Sequence, residues 1–189
     1  MNKTITSQKA ILSIGKEIVL EFGLEGLNIR DVAKKCGVSI GSIYNYFPTK
    51  SDLIVATIES IWKDIMHGYK SCEPQHNFVQ NIQALFLNIQ TGSQKYPSFF
   101  SAHAMSVTAF DKEKGRKSMN ISFSHMKKNL LTALNADAQV KATAFSETFT
   151  KEAFIDFVFN NLITLLMNQE SSCDFLLEVI QRILYPEPI

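Results

Sequence analysis

Asn28-Ile29-Arg30-Asp31-Val32-Ala33-Lys34-Lys35-Cys36-Gly37-Val38-Ser39-Ile40-Gly41-Ser42-Ile43-Tyr44-Asn45-Tyr46-Phe47 decides how this chain is read. Asn28 has the side chain of a helix cap, and Asp31, three positions on, suits the positive end of a helix. Leu27 ahead of that cap can staple onto Val32. Ile29, Val32, Ala33 and Cys36 recur at helical spacing and form an inward face. Gly37 supplies the left-handed residue that stops the helix. Ser39 then caps a second one, with Val38 and Ile43 as its staple. Ile43 and Phe47 turn inward, Pro48 closes the short helix, and Thr49-Lys50-Ser51-Asp52 repeats the capping pattern for another.

Upstream, Ile11, Ile14, Ile18 and Phe22, supported by Ala10 and Val19, predict a first helix with one apolar stripe, ended by Gly23. Downstream, the punctuation thins. Five of the eight glycines lie within the first 41 residues, and no proline falls between Pro97 and Pro186, so long helices can run there. Alternating β-branched stretches bounded by Asn-Gly or Asp-Gly turns are absent, and the fold class expected is all-α. The division expected is a helix-turn-helix domain over residues 1–50 and a larger helical domain over 51–189.

Composition sets the outer limits. With 46% hydrophobic and 20% charged residues in a chain of 189, the balance is that of an ordinary globular protein. The net charge of +1 is uninformative, but residues 1–50 carry seven Lys or Arg against four acids, while the remainder carries twelve against fourteen. Cys36, Cys72 and Cys173 are odd in number and form no CxxC pair, which argues against a disulfide framework and a zinc site. No metal or cofactor is expected. The first residues lack the apolar stretch of a signal peptide, and no run reaches the roughly 18 apolar residues of a membrane helix, so a cytoplasmic protein without membrane contact is expected.

Two helices joined by a Gly-Val-Ser turn, the second short and carrying Gly41, Ser42, Tyr44 and Asn45 opposite Ile43 and Phe47, describe a DNA-reading helix-turn-helix. The major groove admits one α-helix, and small residues at the front of that helix let its backbone come close to base edges. The string from Gly26 to Leu53, with its spacing, closely resembles the DNA-binding domain of the TetR (tetracycline repressor) family, over roughly residues 7 to 55. The resemblance implies two subunits that present reading helices to successive major grooves of a near-palindromic operator. A small molecule in the C-terminal domain would change their separation. Carried over by position, Arg30 resembles a base-edge reader. Ser39, Ile40, Gly41 and Ser42 match the front of the reading helix, Tyr44, Tyr46 and Lys50 resemble phosphate clamps, and Asn45 lies on the exposed face. Asn28 stands where the family commonly has Thr or Ser, and Ile40 stands where a polar residue is more usual.

Two C-terminal helices, about 151–168 and 173–185, are apolar around most of their circumference. The resemblance implies a four-helix bundle across a homodimer axis, with Phe154, Val158, Leu162, Leu166, Leu176, Ile180 and Ile183 at the interface. Between residues 54 and 150, aromatic and Met side chains suit an adaptable apolar cavity. Trp62, Met66, Phe86, Phe100, His103, Phe123 and His125 are its expected lining. An enzyme finds little support, because no phosphate-cradling Gly-rich loop, HExxH or G-x-S-x-G elbow is present. A regulator released from DNA by a small effector and an adaptor that recruits another protein both remain open.

Overall fold

In the computed structural model, residues 6–67, 77–96 and 112–186 are described, with side chains from 123 onward in the last stretch. Among the described residues the secondary structure is eight α-helices and no strand, in agreement with the all-α expectation. They are α1 (Gln8–Phe22), α2 (Ile29–Cys36), α3 (Ile40–Tyr44), α4 (Lys50–Ile65), α5 (Phe78–Gln94), α6 (Lys112–Ala136), α7 (Lys151–Met167) and α8 (Asp174–Leu184). A 3-10 turn, Leu24–Gly26, joins α1 to α2. None of these helices is long and apolar enough to cross a membrane.

By its internal contacts the chain divides into two compact units, Met1–His67 with Gly92–Ile121, and Gly68–Thr91 with Ser122–Ile189. In the first, α1 packs against α2 and α4, and α2 against α3. Ile11, Ile18, Leu27, Val32, Ile43, Leu53 and Ile61 are buried there. Each fully buried aliphatic side chain of this kind contributes about 1.5–3 kcal/mol. Phe22 departs from the expected stripe of α1, since Val19 is buried in its place and Phe22 is 60% exposed. Gly23, at φ 71°, turns the chain immediately after Phe22, and the buried side chain of that corner is Leu24.

A polar node ties α1, α4 and the segment after α5 together in this unit. The Asp64 carboxylate accepts from Lys16 Nζ on α1 at 2.7 Å and from the Tyr96 hydroxyl, two residues beyond α5, at 2.8 Å. Partial burial would raise the Asp64 pKa, but the bonds from Lys16 and Tyr96 outweigh it and hold the carboxyl below its usual value. Burial and the same carboxylate push the Tyr96 phenol well above its ordinary range.

The second unit has a comparable clasp. The Phe78 N–H, at the start of α5, donates to Asp137 Oδ2 at 2.8 Å and to the Tyr185 oxygen at 3.0 Å, and the Tyr185 hydroxyl donates to the same Asp137 oxygen. This pairs buried polar groups with one another, so none is left costly and alone. Phe78, Phe145 and Phe149 surround Phe154 with ring centroids 5.7–6.2 Å away, and Phe123 meets Phe159 edge-on at 5.0 Å. Helices α7 and α8 pack together.

Candidate nucleic-acid interface

The two helices of the motif start and stop where their local chemistry requires. Asn28 Oδ1 accepts from the Asp31 N–H at 2.9 Å, while its Nδ2 donates to Asp31 Oδ2 at 2.6 Å and to the Gly26 carbonyl at 3.2 Å. All of that side chain's polar atoms are therefore engaged in shaping the corner before α2. Gly37 ends α2 in the left-handed conformation, φ 66° and ψ 30°, and its N–H bonds back onto the helix. Ser39 Oγ accepts from the Ser42 N–H at 3.2 Å and lies 2.9 Å from Ser42 Oγ, so the two hydroxyls are paired across the first turn of α3. Thr49 and Asp52 form a complete capping box at the start of α4.

These caps hold α3 as a short helix with one buried residue, Ile43, and Phe47 buried just beyond it. Outward stand Ile40, Gly41, Tyr44 and Asn45, all exposed, with Ser42 half-buried among them. Open space surrounds the front, since a Cβ at Gly41 would meet only Ser39 Oγ, at 3.8 Å. Arg30 is exposed on α2, and Lys50 is half-buried at the first position of α4. Tyr46 is exposed too, but its hydroxyl already donates to the Thr6 carbonyl at 2.7 Å. Sequence reasoning missed that bond, which joins residues forty positions apart. It also missed an open groove of about 490 Å³ lined in part by Thr6, Ser7, Lys35 and Cys36. Burial raises the Cys36 thiol above its usual pKa, which keeps it protonated and unreactive at neutral pH.

The expected ligand-lining residues fall in several places. Trp62 is buried and Met66 half-buried at the end of α4, in the first unit; Phe86 is buried on α5 and Phe123 half-buried on α6, in the second. His125 is exposed, while Phe100 and His103 lie outside the described residues.

The residues expected at a dimer interface are mostly packed within the chain itself. Phe154, Val158, Leu162, Leu166, Leu176 and Ile180 are buried within the single chain, and Ile183 is half-buried. The large apolar side chains that α7 and α8 leave in solvent are Phe157, Met167 and Phe175, the last 84% exposed.

The family model for "Bacterial regulatory proteins, tetR family" matches residues 11–57, from the first helix through the reading helix and into α4. The HTH-type transcriptional repressor KstR of Rhodococcus jostii is 28% identical over 90 residues, covering 48% of this chain and 42% of that protein. The chain thus aligns with less than half the length of the curated relatives it matches. In fold the likeness runs almost end to end. A TetR-family transcriptional regulator from Rhodococcus sp. superposes with a TM-score of 0.57 at 17% identity, over 93% of this chain and 96% of that one. The multidrug binding protein EbrR, complexed with imidazole, gives 0.61 at 17% identity, over 96% and 90%. Residues 11–57 thus match the tetR family of bacterial regulatory proteins, and the helical architecture of the whole chain is similar to that of these solved regulators.

Proposed function

We propose that this protein is a sequence-specific DNA-binding transcriptional regulator. It acts as a homodimeric repressor that leaves its operator when a small apolar or amphipathic molecule binds in the helical domain of residues 51–189. One observation carries the reading. α3 is capped at its front, turns Ile43 inward, and presents Ile40, Gly41, Tyr44 and Asn45 to solvent, which is the thin exposed helix that a major groove admits. Tyr44 and Lys50 are assigned to phosphates, Arg30 to a base edge, and Ile40 to a thymine methyl group. Likeness to KstR, described as a transcriptional repressor, supports the sign of regulation; likeness to EbrR, described as a multidrug binding protein, supports an apolar effector.

The test is selection. Purified protein mixed with sheared DNA of the source genome at moderate ionic strength should enrich a small set of fragments that share a near-palindromic sequence. Recovery no better than that of random duplex would reject the reading.

The proposed homodimer forms through the solvent-facing side of α7 and α8. Phe175→Asp together with Phe157→Asp should therefore yield monomers by light scattering while the helical content stays unchanged. Leu166→Asp would be a poor test, because it places a charge in the protomer's own core. A dimer of unaltered affinity in the double variant would refute this face.

A further inference from the structure

We infer that Tyr46 serves DNA reading as a latch and not as a phosphate contact: its hydroxyl fastens Thr6, the residue ahead of the α1 cap, to the end of the reading helix. The inference rests on the regulator reading above. A phenol carries one proton, and a phosphodiester offers only acceptors, so the proton that Tyr46 gives to the Thr6 carbonyl at 2.7 Å is unavailable to a phosphate. The two roles exclude each other.

Tyr46 is well placed to hold. Its own N–H donates to the Ile43 carbonyl at 3.0 Å, and the Asn45 N–H to the Gly41 carbonyl at 3.2 Å, so its backbone continues the last turn of α3. Thr6 lines the same open groove as Cys36, the last residue of α2. Ser7, the next residue, caps α1: its hydroxyl accepts from the Ala10 N–H at 3.2 Å and its carbonyl from the Ile11 N–H at 3.0 Å. The Thr6 carbonyl is thus one peptide from the cap of α1 and bonded to the end of α3. Through it the start of the scaffold helix and the tip of the reading helix share one position. Freeing Thr6 would let the first turn of α1 fray and would let the end of α3 shift against it.

Amide hydrogen exchange on the full chain separates the alternatives. In DNA-free protein, Tyr46→Phe should speed exchange at the Ala10 and Ile11 amides about three- to tenfold, the range expected when one net hydrogen bond is lost. Tyr44→Phe, which removes a neighbouring exposed phenol hydroxyl, should leave those amides unchanged. Unchanged exchange in Tyr46→Phe would overturn the latch whether or not the protein binds DNA, so this failure is distinct from failure of the regulator reading. With a duplex recovered by genomic selection, the Ala10 and Ile11 amides of the wild-type protein should keep their protection in the complex. Loss of that protection on binding would mean that the proton moves to a phosphate, and would equally overturn the latch.

Discussion

Gly41→Glu is expected to weaken specific DNA binding by at least about a hundredfold while the melting temperature stays the same or rises slightly. The two effects separate because position 41 stands in open space on α3, where an added Cβ would find its nearest neighbour 3.8 Å away. The fold therefore has room for the side chain. A carboxylate in the first turn also suits the positive end of the helix, by about 0.3–1 kcal/mol, and replacing glycine inside a helix removes a cost of about 1 kcal/mol. The DNA side has no such room. A longer, negatively charged side chain at the front of the reading helix would collide with base edges and be repelled by the phosphate backbone. Lost base contacts cost about 1–3 kcal/mol each, and the proposed dimer would lose them twice, which supplies the factor of a hundred. Fluorescence anisotropy on a genomically selected duplex, paired with a thermal melt, measures both quantities. Binding within about threefold of wild type would show that α3 does not lie in the groove.

The largest expected loss of stability is at Gly92, near the end of α5. A Cβ there would lie 2.9 Å from both the Cα and the carbonyl oxygen of Ile65, at the end of α4, and 3.0 Å from Ile65 Cγ2. The obstacle is backbone, so no rotamer change relieves it and the two helix ends must separate. Overpacking of this sort costs about 1–3 kcal/mol and occasionally more. At this chain length each kcal/mol lowers Tm by about 2–4 °C. Separation would also pull Tyr96 away from Asp64 and so from the link to Lys16. Gly92→Val should therefore melt roughly 5–10 °C lower, taking the overpacking cost and the lost bond together. Gly92→Ala should fall between the two. A valine variant melting within about 1 °C of wild type would show that the approach of α5 to α4 is looser than the distances imply.

The corner from Asn28 to Asp52 was legible because its information is local. Caps, left-handed glycines and staples act over three to five residues, and Asn28, Gly37, Ser39 and Thr49 each do what their chemistry implies. The exposed face of α3 follows from the same register, once Ile43 is fixed inward. Burial over longer distances was less readable. α7 is apolar on nearly every side, so sequence alone offered no means of choosing between the row of Phe154, Val158, Leu162 and Leu166 and the side that carries Phe157. The protomer's own packing decides it, in favour of burying the first row. Phe22 fits the helical stripe of α1 by spacing, yet the turn at Gly23 leaves it in solvent. Contacts such as Lys16 with Asp64, Asp64 with Tyr96, and Tyr46 with Thr6 join residues 48, 32 and 40 positions apart, and no local pattern announces them. The same holds for aromatic content. Trp62 and Phe86 are buried, but a buried ring in a sequence looks alike whether it fills a core or lines a cavity.

Dimethyl sulfate protection at guanine N7, an atom displayed only in the major groove, tests the placement of α3 most directly. On a selected duplex the protein should shield guanines in two successive major grooves on one face of the DNA, about 34–36 Å apart between centres. The Gly41→Glu variant should leave them open. Full reactivity at every guanine beneath the bound wild-type protein would place the contact elsewhere and contradict the account.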